Sequence, residues 1–279
     1  MKHQQRRNIR GELEMKKLIN FYLNLKPIFH TIIFEVKLNI RKFYIFSGFT
    51  IIFLILTNYL PYVTDMRRLP TTQYNFYVSA LSFFLLILVF ASSLFFSGII
   101  CSDYSKKTGL NLIPMIKKSH LFIGKYITYS ILVIGIVSVQ YISMALLEYY
   151  FYGGPLLNTI CISYGFAILY VLALASLISF ISSFSSSELP VIIVVNGLIL
   201  IGFNIIDPIM MLSFGVEPIY SFMYLYNLIQ FILNPDFSTM LRYDGWWLFP
   251  TIEQAVISLL SYGIGFFILA FILYKKRQF

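Results

Sequence analysis

Residues 189–206 read LPVIIVVNGLILIGFNII, eighteen consecutive positions without a charge. As a helix this run is about 27 Å long, close to the ~30 Å hydrocarbon core of a bilayer. A helix satisfies its own backbone hydrogen bonds, so lipid tolerates the run, whereas water would have to cover an apolar surface on every side. Extended by one residue to 189–207, it is one of six such segments, the others falling at about 43–60, 76–100, 121–147, 160–182 and 252–274. Apart from Lys125 near one end of the third, and Asp207 and Glu253 at ends of the last two, they hold no charged residue. The whole chain agrees: 58% of residues are hydrophobic, 12% are charged, and the mean hydropathy is +0.78. A soluble domain carries about a quarter charged residues. No polar stretch between residues 43 and 274 is long enough for a soluble domain, so the expected fold is all-α, a single polytopic membrane domain over 16–279 with six transmembrane helices.

Placement of charge sets the expected orientation. The net charge of +9 is spread between the spans, which points to membrane orientation and away from nucleic acid. Ten Lys and Arg residues, from Lys2 to Lys42, precede the first span. Lys106, Lys107, Lys117, Lys118 and Lys125 lie between the second and third, and Lys275, Lys276 and Arg277 follow the sixth. Only Arg67, Arg68 and Arg242 fall on the other side. The positive-inside rule then places both termini in the cytoplasm, which requires an even number of crossings.

Residues 1–15 read as a disordered basic leader, in which Met15-Lys16-Lys17 also resembles a start. Residues 16–42 read as an amphipathic helix in the headgroup layer, with Ile28, Phe29, Ile32, Ile33, Val36 and Ile40 toward lipid and Lys26, His30, Lys37 and Arg41 tending to the other side. A plain charged flank is the alternative. The first strongly apolar run starts only at Phe43, with no small-residue cleavage site after it, and reads as a retained helix.

The apolar run 219–233 sits between Glu217-Pro218 and Asn234-Pro235. At about 22 Å it is short for a crossing. It is expected to be re-entrant or to lie on the outer surface, with Trp246 and Trp247 as interfacial anchors. The Ser-rich stretch 182–187 reads as a solvated turn. Cys101 and Cys161 belong to opposite faces of the bilayer, too far apart for a disulfide.

Catalytic chemistry finds no support. His3, His30 and His120 are isolated, no metal-ligand spacing appears, and no Ser/His/Asp set or buried carboxylate pair can be assembled. No Gly-rich phosphate loop ends in Gly-Lys-Ser or Gly-Lys-Thr, so the chain is not expected to hydrolyse ATP or to be an enzyme by itself.

One segment stands apart. Residues 101–126 read CSDYSKKTGLNLIPMIKKSHLFIGKY and link the second and third spans. They resemble the corresponding loop of ABC-2 type exporter permeases, which runs from an acidic residue through a Thr/Gly pair and a short amphipathic helix to a Pro, and then to a Gly-Lys entering the next span. Here these positions fall on Asp103, Thr108-Gly109, Leu110 to Ile113, Pro114 and Gly124-Lys125. Asp103 stands where Glu is more usual, and the pair has the order Thr-Gly. The resemblance extends along most of the chain, through the basic helix before the first span, the six spans, the element between the fifth and sixth, and the basic end.

It implies that Asp103, Tyr104, Lys106, Lys107, Thr108, Gly109, Leu110, Leu112, Ile113 and Pro114 form a coupling segment. That segment docks into a groove on a separate ABC ATPase subunit. The resemblance further implies a permease dimer, built from two copies or with a related chain, that moves substrate outward along a path lined partly by spans two and five. ATP and Mg²⁺ belong to the ATPase, and this chain needs no cofactor. The place is a cell membrane, and the richness in Ile, Asn, Lys, Phe and Tyr matches an AT-rich prokaryotic genome. An apolar helix with Leu110, Leu112 and Ile113 suits such a groove, and Asp103 suits its N-terminal end.

Gln140, Asn196 and Asn204 are the polar residues within spans that could line a path, although interhelical hydrogen bonding is the commoner use of such groups. Asp207 is expected at a helix end. A secondary transporter or channel is the second reading; such proteins place ionisable groups or broken helices near the bilayer midplane. A membrane-embedded enzyme and a non-transporting membrane or immunity protein are the others. The substrate is not legible.

Overall fold

The computed structural model describes residues 2–64, 69–105, 117–156, 158–234 and 249–277, with side chains from residue 25 onward except those of 102–105. Regular structure among the described residues is entirely helical. Six helical stretches are long and apolar enough to cross a membrane: Leu25–Val63, Gln73–Cys101, Lys118–Tyr152, Thr159–Ser182, Glu188–Phe214 and Ile252–Lys276. Each contains one of the six spans read from the sequence, and the protein is an all-α polytopic one.

The first helix, α1 (Lys2–Leu54), contains Pro27 and continues through a π-helical stretch (Ile55–Tyr59) into α2 (Leu60–Val63). The leader 1–15, the headgroup helix 16–42 and the start of the first span are therefore one helix, which corrects the separation read from the sequence. Its packing explains the difference. The buried positions are the polar stripe Thr31, Glu35 and Asn39, while Phe29, Ile33, Phe34 and Leu38 are exposed. Polar groups that lack water turn toward protein and apolar ones toward lipid, so the stripe meets a neighbouring helix.

That neighbour is the third span. We number the second span α3 (Gln73–Leu81), α4 (Phe84–Phe96) and α5 (Gly98–Ser105), and the third α6 (Lys118–Tyr152). Thr31 abuts Gly124, the Tyr129 hydroxyl donates to the Glu35 carboxylate at 2.9 Å, and Phe43 lies against Gly135. Tyr59 reaches Tyr150 and Phe151, with ring centroids 6.0 and 5.9 Å away. Residue numbers rise together along both helices, so α1 and α6 run parallel.

The fourth span, α7 (Thr159–Ser182), and the sixth, α11 (Ile252–Lys276), pair in the same way. Ala173 packs against Gly263, Phe180 lies 5.3 Å from Phe266, and Arg277 reaches the Ser183 and Ser185 carbonyls. These two spans also run parallel. Between them lies the fifth span, comprising α8 (Glu188–Asn196), a π-helical stretch (Gly197–Gly202) and α9 (Phe203–Phe214). One crossing between two parallel spans means that the chain from α9 to α11 returns without crossing. Its helix α10 (Phe222–Phe231) is buried in the bundle, with Tyr170 packed on Phe222 and Tyr226 at 5.9 and 5.7 Å. This element therefore packs among the spans. Trp246 and Trp247 lie outside the described residues.

The second span is interrupted twice. Helix ends leave carbonyls without intrahelical partners, and inside a membrane these must be met by other groups. At the α3–α4 break the Gln140 amide donates to the Ala80 carbonyl at 3.1 Å, and the Tyr226 hydroxyl donates to the Leu81 carbonyl at 2.8 Å. At the α4–α5 break the Ser97 carbonyl accepts from the Ser182 hydroxyl at 2.7 Å and the Cys101 thiol at 2.8 Å.

Candidate functional site

The sequence points to the turn between the second and third spans. Residues 106–116, hence Lys106, Lys107, Thr108, Gly109, Leu110, Leu112, Ile113 and Pro114, lie outside the described residues, as do the side chains of Asp103 and Tyr104. The frame around them is described. Helix α5 ends at Ser105 and α6 begins at Lys118, whose ammonium donates to the Arg277 carbonyl at 2.8 Å. The Arg277 guanidinium in turn donates through Nη1 to the carbonyls of Ser183 at 2.8 Å and Ser185 at 2.9 Å. The Cys101 amide donates to Ser182 Oγ at 3.4 Å, and Glu188 lies against Gly98.

The ends of spans two to six are thus laced together beside the pointed-to turn, at an end of the bundle that also carries Lys118, Lys125, Lys275 and Lys276. The first part of the Ser-rich stretch joins this lacing: Ser182 and Ser183 are buried, while Phe184, Ser186 and Ser187 are exposed as a solvated turn requires. No sequence signal marks this role, because the partner of the turn is a backbone-directed Arg some ninety residues away. Arg277→Ala is expected to lower stability by about 1 kcal/mol, since two charge-assisted bonds are lost from a half-buried site. Arg277→Lys is expected to restore only part, a lysine lacking the planar fork. Thermal unfolding of the purified protein measures both.

The three polar residues considered for a path are not brought together. Gln140 is committed to the α3–α4 break. Asn196 joins the fifth span to the second, its amide donating to Ser93 Oγ at 3.0 Å and to the Ile192 carbonyl at 2.8 Å. Asn204 is exposed and donates to Leu200 of its own helix at 2.7 Å. Two open grooves contain none of the three. One, of about 320 Å³, is lined by Leu172, Gly263 and Phe267; the other, of about 380 Å³, by Tyr141, Cys161 and Tyr164. Cys101 and Cys161 are both free thiols.

At the other end of the bundle, two buried acids correct the sequence reading. Asp207 is not at a helix end: α9 continues through Pro208 to Phe214, and Asp207 is buried where Ser221 Oγ donates to its carboxylate at 2.5 Å. Ser221 also accepts from the Met223 and Tyr224 amides, capping α10. Glu217 accepts from Tyr224 Oη at 2.7 Å and from Gln254 Nε2 at 3.2 Å, so this cluster pins the returning segment to α11. Burial, and then the Asp207 carboxylate, push the nearby Tyr220 phenol above its usual range.

Glu148, one residue past the third span as read from the sequence, is fully buried inside α6. A missed boundary hid it. Among the described residues no three His, Cys, Asp or Glu side chains gather as a metal group. No family model matches the chain, and no curated protein matches it.

Proposed function

We propose that this chain is the permease subunit of an ATP-driven exporter, working as a dimer with a second copy or a related chain on separate ATPase subunits. The observation that carries the reading is the segment 101–126, with its acidic residue, Thr-Gly pair, apolar turn, Pro and Gly-Lys in the order of an ABC-2 coupling loop. The basic end of the bundle then faces the cytoplasm of a prokaryotic cell, with both termini there.

The lacing beside the turn supports the reading mechanically. A push on the coupling segment is passed through α5 and Lys118 to spans two and three, and through Arg277 and Ser182 to spans four and six. ATP and Mg²⁺ act on the ATPase, whose closure supplies the push; the permease holds and transmits it.

The test is co-expression with the ATPase encoded nearest to it. The wild-type pair is expected to purify as a stable complex, and Leu110→Asp combined with Asp103→Ala to reduce coupled ATPase activity by about ten-fold or more, equivalent to about 1.4 kcal/mol of lost docking. No complex, or coupled activity unchanged in the double variant, ends this reading.

A second reading, an ion-coupled transporter, is favoured by the interrupted second span and the buried Glu148, features such proteins use near their sites. Transport by this chain alone in proteoliposomes, driven by an ion gradient without ATPase, separates the two.

A further inference from the structure

Four buried side-chain oxygens without a hydrogen-bond partner belong to elements that meet at the end of the bundle away from the lysines: Asn58 Oδ1, Tyr77 Oη and both carboxylate oxygens of Glu148. Their residues are 1%, 0% and 0% exposed. Asn58 belongs to the π-helical stretch after α1, Tyr77 to α3 and Glu148 to the last turns of α6. The three elements converge: α3 touches both the π-helical stretch and α6, and Tyr59 packs on Tyr150 and Phe151. The Tyr77 hydroxyl and the Gln73 side chain face the Glu148 carboxylate at the edge of hydrogen-bonding range, short of good geometry. Above it, the rings of Tyr62, Phe76, Phe151 and Tyr152 pack with centroids 5.9 to 6.3 Å apart.

Each orphaned oxygen costs free energy, and a lone carboxylate costs most. In native proteins such groups mark a catalytic role, stored strain, or a water or ion that completes them. No imidazole or thiol stands among these. A π-helical insertion at the junction also fits a ligand site, where such bulges are frequent. The donors are all hard oxygens and carry a single negative charge, which matches one positive charge and disfavours soft transition metals.

We propose that Glu148, with Tyr77, forms a binding site for one monovalent cation, a sodium ion or a proton, at the end of the bundle opposite the lysines. The proposal is independent of the exporter reading. Among the described residues, the titratable groups facing Glu148 are Tyr77 from α3 and Tyr152 one turn further along α6, with Tyr62 from α2 beside Tyr152. All three are phenols, so Glu148 is the one carboxylate among these described groups.

The experiment is thermal unfolding of the full chain in nanodiscs, for the wild type, Glu148→Gln and Tyr77→Phe. Sodium is exchanged for choline at constant ionic strength, at about pH 6 and about pH 8. A sodium site raises the wild-type midpoint saturably with sodium, as a ligand bound only by the folded state must. A proton site gives no sodium effect but a midpoint that rises toward the lower pH. In either case Glu148→Gln abolishes the response, and Tyr77→Phe shifts its half-saturation about three-fold or more. A wild type indifferent to both cations, or a response kept in full by both variants, overturns the site. Should Glu148→Gln not fold, the Tyr77→Phe comparison and equilibrium binding of radioactive sodium to the wild type decide. A response unaltered in Tyr77→Phe, with no saturable sodium binding, then overturns it.

Discussion

Gly124→Ala is expected to cost about 2–3 kcal/mol and to loosen the first span from the third. A Cβ at Gly124 would sit 2.8 Å from both Cβ and Cγ2 of Thr31 and 3.4 Å from the Ile28 carbonyl. Thr31 cannot turn away. Its Cβ is fixed to the backbone, and its hydroxyl donates to the Pro27 carbonyl at 2.9 Å, so the helix itself must move. Gly135→Ala makes the informative contrast. There the nearest atom is Cε2 of Phe43, also at 2.8 Å, but it is the far edge of a ring that can swing. Its cost is expected to stay below about 1 kcal/mol. Unfolding free energies in a common detergent test the order; equal or reversed costs refute the register of α1 on α6. Gly124→Ala with Thr31→Ala should recover part of the loss, because the two side chains meet directly.

The second large effect concerns the break in the second span. Tyr226→Phe removes one oxygen without changing packing, and Gln140→Leu replaces an amide by a side chain of similar size. Each leaves a carbonyl of the α3–α4 break without its partner in an apolar surround, at about 1–2 kcal/mol. The two carbonyls, Ala80 and Leu81, are consecutive, so the double variant is expected to depart from the sum of the singles. Amide exchange over residues 80–86 should accelerate in both, since these bonds hold the break in one geometry. Strict additivity with unchanged exchange refutes a joint role at the break.

These effects show where reading the sequence succeeds. All six spans were legible because exclusion of charge from lipid acts residue by residue and needs no knowledge of neighbours. The run 219–233 is too short to cross, and the parallel course of α7 and α11 agrees with that. Only a motif marks the segment 101–126, of which residues 106–116 lie outside the described ones.

Other features depended on partners far along the chain. The 16–42 stretch has an apolar and a polar face, which the sequence assigns to lipid and water; in the bundle the polar stripe Thr31, Glu35 and Asn39 faces α6. Gln140, Asn196 and Ser182 read as path, glue or linker, and only their carbonyl and hydroxyl partners on the second span give them a place.

By itself, the sequence determined how many helices cross and at which end the lysines collect, because the cost of a charge in hydrocarbon is local. Tertiary structure alone decided which helix faces meet, where the second span breaks, and that Glu148 is buried beside Tyr77. Lipid and protein interior are about equally apolar, so hydropathy cannot say which side of a spanning helix turns inward; packing and the pairing of polar groups do.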